Sequence, residues 1–165
     1  MEDEVSGSYR SPLGELHIVT KGHLLRSITF MGPPERPAPA GRIDDTVPGL
    51  YSGLDAYFKG EPTEFSDIEL DLSGMGGFDR CILLTLRRVK FGELTSYGEL
   101  AYASGHPGAA RAVGGAVHRN PFLIVVPCHR VVSRRRGGYG LGGFGAGIEL
   151  KRGLLDLEGS LDRIS

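Results

Sequence analysis

The stretch ARAVGGAVHRNPFLIVVPCHRVV, residues 110–132, decides how the chain is read. Its first part reads as a helix of small residues, with Ala110, Ala112, Gly114, Gly115 and Ala116 around one long side chain, Arg111. Two adjacent glycines inside a helix cost about 1 kcal/mol each relative to alanine. Such a helix is explained by close approach of another surface. That surface is either the protein's own core or the groove of a ligand into which Arg111 projects. Asn120-Pro121 breaks the helix, and FLIVV then reads as a buried apolar strand.

The strand runs into Pro127-Cys128-His129-Arg130. A cysteine beside a histidine at the end of a buried strand is a candidate activated nucleophile. Burial raises a thiol's pKa, so the proton needs an acceptor, and an imidazole titrates near neutrality. Adjacent residues of a regular strand point to opposite faces. Cys128 and His129 therefore cooperate only if Pro127 ends the strand in a turn, or if a water bridges them. Spacing leaves the group that orients the histidine open among Glu149, Asp156, Glu158 and Asp162.

Upstream, Ser96 is a good N-cap for YGELAYA, with Glu99 three residues on as in a capping box. SGHPG then breaks the chain, and Pro107 suits the first turn of the next helix. Two short helices joined by a glycine-containing turn match a helix-turn-helix. Further back, Phe78, Cys81, Ile82, Leu86 and Val89 form a helical apolar stripe whose one polar member is Thr85. Cys81 reads there as a small buried hydrophobe. The first thirty residues read as an antiparallel meander, SGSYR, GELHIVT and LLRSITF, separated by SPLG and KGH turns. Residues 32–47 are rich in Pro and Gly and read as a loop, 48–59 as a helix, and GEPTEFSDIELDLSG as a loop with a short strand. GMGG at 74–77 marks a junction between domains 1–76 and 77–165.

Composition bounds the function. The 165 residues are 40% hydrophobic and 24% charged, as in soluble globular proteins. No apolar run approaches the ~18–20 residues of a membrane span. The acidic start MEDEVSGSYR lacks the apolar segment of a secretory signal, so a cytoplasmic protein is expected. Two cysteines without CxxC spacing give neither a disulfide framework nor a zinc site. Residues 1–78 carry a net charge of −7 and residues 79–165 a net of +6, within a total of −1. The basic half suits a polyanion; a merely uneven surface is the alternative. Gln and Trp are absent, and Asn120 is the only Asn.

PCHRV, preceded by ARAVGGA and NP, resembles the O6-alkylguanine-DNA alkyltransferase family. The resemblance extends through SPLG near 11–16, FDRCILLTLRRV at 78–89, FGELTSYGELA at 91–101, HPGAARAVGGA at 106–116 and GLLDLEG at 153–159, in the family's order. It implies an α+β fold: an N-terminal ribonuclease-H-like α/β domain carrying the meander, and a mainly helical, winged helix-turn-helix domain. It implies double-stranded DNA containing O6-alkylguanine as partner, with transfer of the alkyl group to the protein. It further implies a monomer without cofactor or metal, associated with the nucleoid when bound to DNA.

By the same resemblance, Cys128 matches the acceptor thiol and His129 the base acting through a water. Glu158 matches the carboxylate that orients the histidine, and Asn120 the hinge before the active-site strand. Arg111 matches the finger that fills the space of the flipped nucleotide, and Tyr97 the tyrosine that contacts the base. Phe144 and Gly145 fall on the loop closing the guanine pocket. Ala110, Gly114, Arg130 and Val131 join them on the DNA- and base-binding side. The departures are Phe144 where several members carry Tyr, Leu83 where Trp is common, Lys90 where Pro is frequent, and the absence of zinc-binding cysteines.

Other residues have plainer readings. Arg87, Arg88 and Lys90 read as a solvated face. Arg134, Arg135 and Arg136 form a run that either touches phosphate or is solvated. His17, His23, His106 and His118 read as surface or packing residues, and Tyr139 as a loop anchor. Two other functions compete with alkyl transfer. A non-catalytic module that binds alkylated DNA would not need Cys128. A thiol hydrolase or redox protein would leave the helix-turn-helix and Arg111 unexplained.

Overall fold

The structure is a computed structural model that describes residues 2–33 and 46–165. The loop expected at 32–47 lies for the most part outside the described residues. Two compact units are formed, Met1–Ser73 with Pro121–Val125, and Gly74–Asn120 with Val126–Ser165. A single cut at 76/77 misses the exchange of five residues late in the chain. Among the described residues, no helix is long and apolar enough to cross a membrane.

In the first unit, β1 (Glu4–Ser11), β2 (Gly14–Lys21) and β3 (Leu24–Phe30) form the expected antiparallel meander. The period-2 alternation of β2 buries Leu16, Ile18 and Thr20 on one face. Helix α1 (Leu50–Phe58) buries Leu50, Leu54 and Tyr57, at i, i+4 and i+7. Tyr9 of β1 donates its hydroxyl to Asp55 of α1 at 2.8 Å and stacks on Phe58. The strand expected within residues 60–74 is reduced to one parallel bridge, Leu25 to Leu70. The backbone turns away at Asp71, whose Oδ1 accepts from both the N–H and the hydroxyl of Ser73.

FLIVV is not a strand. Phe122 makes a bridge to Ile28, and the chain then turns at Ile124-Val125. Ile124 has φ 71°, the only positive φ outside glycine among the described residues. A β-branched residue there carries strain on the order of 1–3 kcal/mol. Its side chain is almost wholly buried, and that packing holds the turn.

The second unit contains α2 (Gly77–Leu86), β4 (Thr95–Ser96), α3 (Tyr97–Ala103), α4 (Ala110–His118), β5 (Val131–Arg135), β6 (Gly138–Gly140) and α5 (Ile148–Leu157). Thr85, the polar member of the α2 stripe, donates its hydroxyl to Cys81 O at 2.8 Å, one turn back. Cys81 is half-buried rather than fully buried, with its Sγ 3.5 Å from Ser104 O. The capping box of α3 is present: Glu99 N–H donates to Ser96 Oγ at 3.1 Å, and Ser96 N–H to Glu99 Oε2 at 2.7 Å. Pro107 is not in the first turn of α4; it lies in the turn before it, and α4 begins at Ala110. Arg119 clamps the end of α4 to α2 through a two-pronged pair with Asp79, at 2.7 and 2.8 Å. β4 runs parallel to β5, and β5 and β6 form an antiparallel hairpin, the wing of the helix-turn-helix.

Candidate active site

Pro127 ends the preceding segment, and Cys128–Arg130 forms one turn of 3₁₀ helix leading into β5. Adjacent residues of this turn are not forced to opposite faces, so the objection raised by a regular strand does not apply. Cys128 and His129 are both buried.

His129 Nε2 meets Glu158 Oε1 at 2.7 Å. The Glu158 carboxyl is held well below the usual carboxylate range by His129 and Arg130, against the opposing effect of burial. An ionised carboxylate only accepts, so the proton sits on Nε2 and Nδ1 is the basic nitrogen. Burial holds the His129 pKa below its ordinary value, and Glu158 partly offsets this. The imidazole is therefore neutral near pH 7, the form a base requires.

Glu158 carries more than the histidine. It accepts from Arg130 Nε at 2.9 Å and Nη2 at 2.8 Å, and from Gly92 N–H at 3.2 Å. Arg130 spends its remaining reach on Val89 O, at 2.6 Å. This corrects the expectation that Arg130 lies on the DNA-binding side. It is buried, and it positions Glu158. An anion of this kind needs a compensating cation once it is out of water.

Burial pushes the Cys128 thiol up, opposed by a hydrogen bond from the Asn120 side chain and by the charge of Lys151. Asn120 Nδ2 also donates to Val126 O at 2.9 Å. The only Asn in the chain thus closes the base of the 121–125 excursion and bears on the Cys128 thiol.

Lys151 was missed by the sequence reading. It is fully buried, and its Nζ donates to Val131 O at 2.7 Å and to Gly143 O at 3.2 Å. Burial lowers its pKa to about 8, while the neighbouring Cys128 works to raise it. The ammonium lies 5.8 Å from the centre of the Phe144 ring. A signal for it existed: Lys151, Leu154 and Leu155 of α5 and Glu158, which caps its C-terminal end, lie at i, i+3, i+4 and i+7. A charged residue on an apolar stripe marks a buried task, as Thr85 marked a backbone partner.

Tyr97 opens α3, and burial raises its phenol pKa, followed by the effect of Cys128, so it remains a neutral donor. A Cβ placed on Gly142 would lie 3.5 Å from Tyr97 Oη, 3.6 Å from Lys151 Nζ and 3.4 Å from Ser133 N. The loop after β6 thus passes close to all three. A Cβ on Gly114 would lie 3.7 Å from the Tyr97 ring, so this glycine of α4 faces the tyrosine. Gly145 approaches the His118 ring in the same way, at 3.2 Å. Arg111 is exposed at the second position of α4, after the half-buried Ala110. Val131 is buried and reaches the site through its carbonyl. Among the described residues, no group of three or more His, Cys, Asp or Glu could hold a metal ion.

A buried thiol next in sequence to a carboxylate-oriented imidazole, set in a winged helix-turn-helix unit, is the arrangement that a thiol-dependent, DNA-associated protein would need. Two family models match the chain. The DNA-binding domain of 6-O-methylguanine DNA methyltransferase matches residues 77–160, and its ribonuclease-like domain residues 5–72. A Mycobacterium tuberculosis protein named methylated-DNA–protein-cysteine methyltransferase is 44% identical over 155 residues, covering 91% of this chain and 89% of the relative. A protein of the same name from Metallosphaera sedula is 38% identical over 159 residues, covering 96% and 95%. The crystal structure of M. tuberculosis OGT in complex with DNA superposes with a TM-score of 0.77 at 40% identity, covering 94% and 93%. The chain belongs to the 6-O-methylguanine DNA methyltransferase family.

Proposed function

We propose that the chain repairs O6-alkylguanine, mainly O6-methylguanine, in double-stranded DNA by transferring the alkyl group to Cys128 in one irreversible step. The observation that carries this reading is the buried Cys128–His129–Glu158 arrangement inside the helix-turn-helix unit. The O6 atom of a paired guanine is out of reach, so the nucleotide must leave the stack at a cost of a few kcal/mol. The small residues of α4 suit close approach to the minor groove, and Arg111 fills the space left behind.

His129 Nδ1 takes the thiol proton through a water, and Glu158, itself held by Arg130, orients the imidazole. The thiolate attacks the alkyl carbon in line. A C–S bond forms, the C–O6 bond breaks, and its electron pair goes to guanine. The Tyr97 hydroxyl contacts the flipped base, and the loop carrying Phe144 and Gly145 closes over it. No cofactor or metal is needed. The product thioether has no bond that water cleaves, so each molecule acts once. On this reading the chain acts as a monomer in the cytoplasm. A non-catalytic binder has no use for the buried base beside Cys128. Incubation with excess duplex carrying a labelled O6-methylguanine tests the reading. One methyl transferred per protein molecule supports it; continued turnover or no transfer refutes it.

A further inference from the structure

The β5–β6 hairpin carries Arg134, Arg135 and Arg136 in succession at its tip, all exposed. Alternation along β5 separates their tasks. Arg134 is cross-strand from Tyr139, and its Nη1 donates to Glu99 Oε1 and Tyr139 Oη, both at 3.1 Å. Its guanidinium also lies over the Tyr139 ring, at 5.2 Å. Glu99 is the capping-box residue of α3, so one carboxylate both caps a helix of the helix-turn-helix and anchors the wing. Helix α3 packs in turn on α4. Among the described residues, no carboxylate pairs with Arg135 or Arg136.

Arg135 shares a face of β5 with Ser133. A Cβ on Gly140 would collide with Arg135 Nε and come within 2.7 Å of Ser133 Oγ. Gly140 therefore leaves room for the guanidinium to lie across the hairpin. The Ser133 backbone on that stretch adjoins Gly142, close to Tyr97 and Lys151. Three adjacent like charges on a two-stranded tip repel one another, and among the described residues only Arg134 meets a carboxylate. A polyanion supplies the missing partner.

We propose that the β5–β6 hairpin is a phosphate-binding wing, in which Arg135 and Arg136 meet the DNA backbone while Arg134 anchors the hairpin to α3. The proposal rests on the DNA-repair reading above and extends its contact surface beyond α4. Phosphate contacts position a protein without reading sequence, so the wing strengthens binding equally on damaged and undamaged duplex.

The test compares wild type, Arg135→Ala/Arg136→Ala, and a control that removes two charges from the first unit, Arg10→Ala/Lys59→Ala. Binding to a duplex with and without O6-methylguanine is followed by fluorescence anisotropy across a salt series. Each lost phosphate contact flattens the slope of log K against log salt by about 0.9, and weakens binding roughly tenfold at 0.1 M salt. The wing variant is expected to flatten the slope by about 0.9 to 1.8 on both duplexes. It should react normally with free O6-benzylguanine, and the control should keep the wild-type slope. A wild-type slope in the wing variant, or equal flattening in the control, overturns the wing while leaving alkyl transfer standing. A wild-type chain that neither transfers an alkyl group nor binds DNA in a salt-dependent way overturns both.

Discussion

Asn120 Nδ2 donates to Val126 O at 2.9 Å, joining the two residues between which the chain leaves its second unit and returns. Burial pushes the Cys128 thiol up, and the same side chain works against that rise. One amide therefore bears on both the path of the backbone into Cys128 and the ease with which its thiol ionises. Asn120→Ala removes a hydrogen bond to a charged group, worth about 1.5–3 kcal/mol. Alkyl transfer should slow roughly 10- to 150-fold. Asn120→Asp should be slower still, because a second anion would face the thiolate. Single-turnover kinetics with O6-methylguanine duplex measure this; a variant at wild-type rate removes the role.

Glu158→Gln should destabilise the fold by about 3–5 kcal/mol, since Arg130 is left buried without its anion. The pH dependence follows from the direction of the shift. The folded-state pKa of Glu158 is depressed below the ordinary 4.5. Its contribution is therefore fully present above that value and is lost as pH falls toward the folded-state pKa. Urea denaturation at pH 7 and in the acid range should show wild type losing part of its advantage over the variant on acidification. An advantage independent of pH contradicts the assignment.

Lys151→Met keeps the length of the side chain and removes its charge. Without the neighbouring cation, the Cys128 thiol should titrate higher still, because burial already pushes it up and Lys151 opposes that. The rate of iodoacetamide alkylation against pH reports this directly. Lys151→Arg should recover part of the shift, and an unchanged midpoint in Lys151→Met would show that the ammonium acts on the loop at Gly143 alone.

Arg111→Ala should slow repair of duplex substrate by tenfold or more while leaving reaction with free O6-benzylguanine near wild type. Only the duplex requires the vacated space in the stack to be filled. Equal loss on both substrates removes the finger role.

The sequence and the structure agree where local chemistry decides the outcome. The meander at 4–30 follows from alternation, and α3 from Ser96 and Glu99. They part where packing decides. FLIVV is apolar enough for a strand, but an apolar run does not specify its backbone, and Ile124 turns in the left-handed region instead. At the site, Cys128 and His129 were legible as neighbours, whereas the choice of Glu158 among four carboxylates needed the resemblance. Lys151 is hard to read from sequence because a lysine in a helix is ordinarily solvated, and only its place on the apolar face of α5 shows that it is buried. A positive residue beside a candidate nucleophile suits either DNA or a buried anion, and it takes the fold to show that Arg130 pairs with Glu158.

The most direct measurement is peptide mass spectrometry after incubation with duplex DNA containing O6-methylguanine. One added methylene on the peptide containing Cys128, saturating at one per molecule and absent in Cys128→Ala, is the expected result. An unmodified Cys128 beside repaired DNA, or the methyl group on another residue, would contradict the assignment of this sulfur as the acceptor.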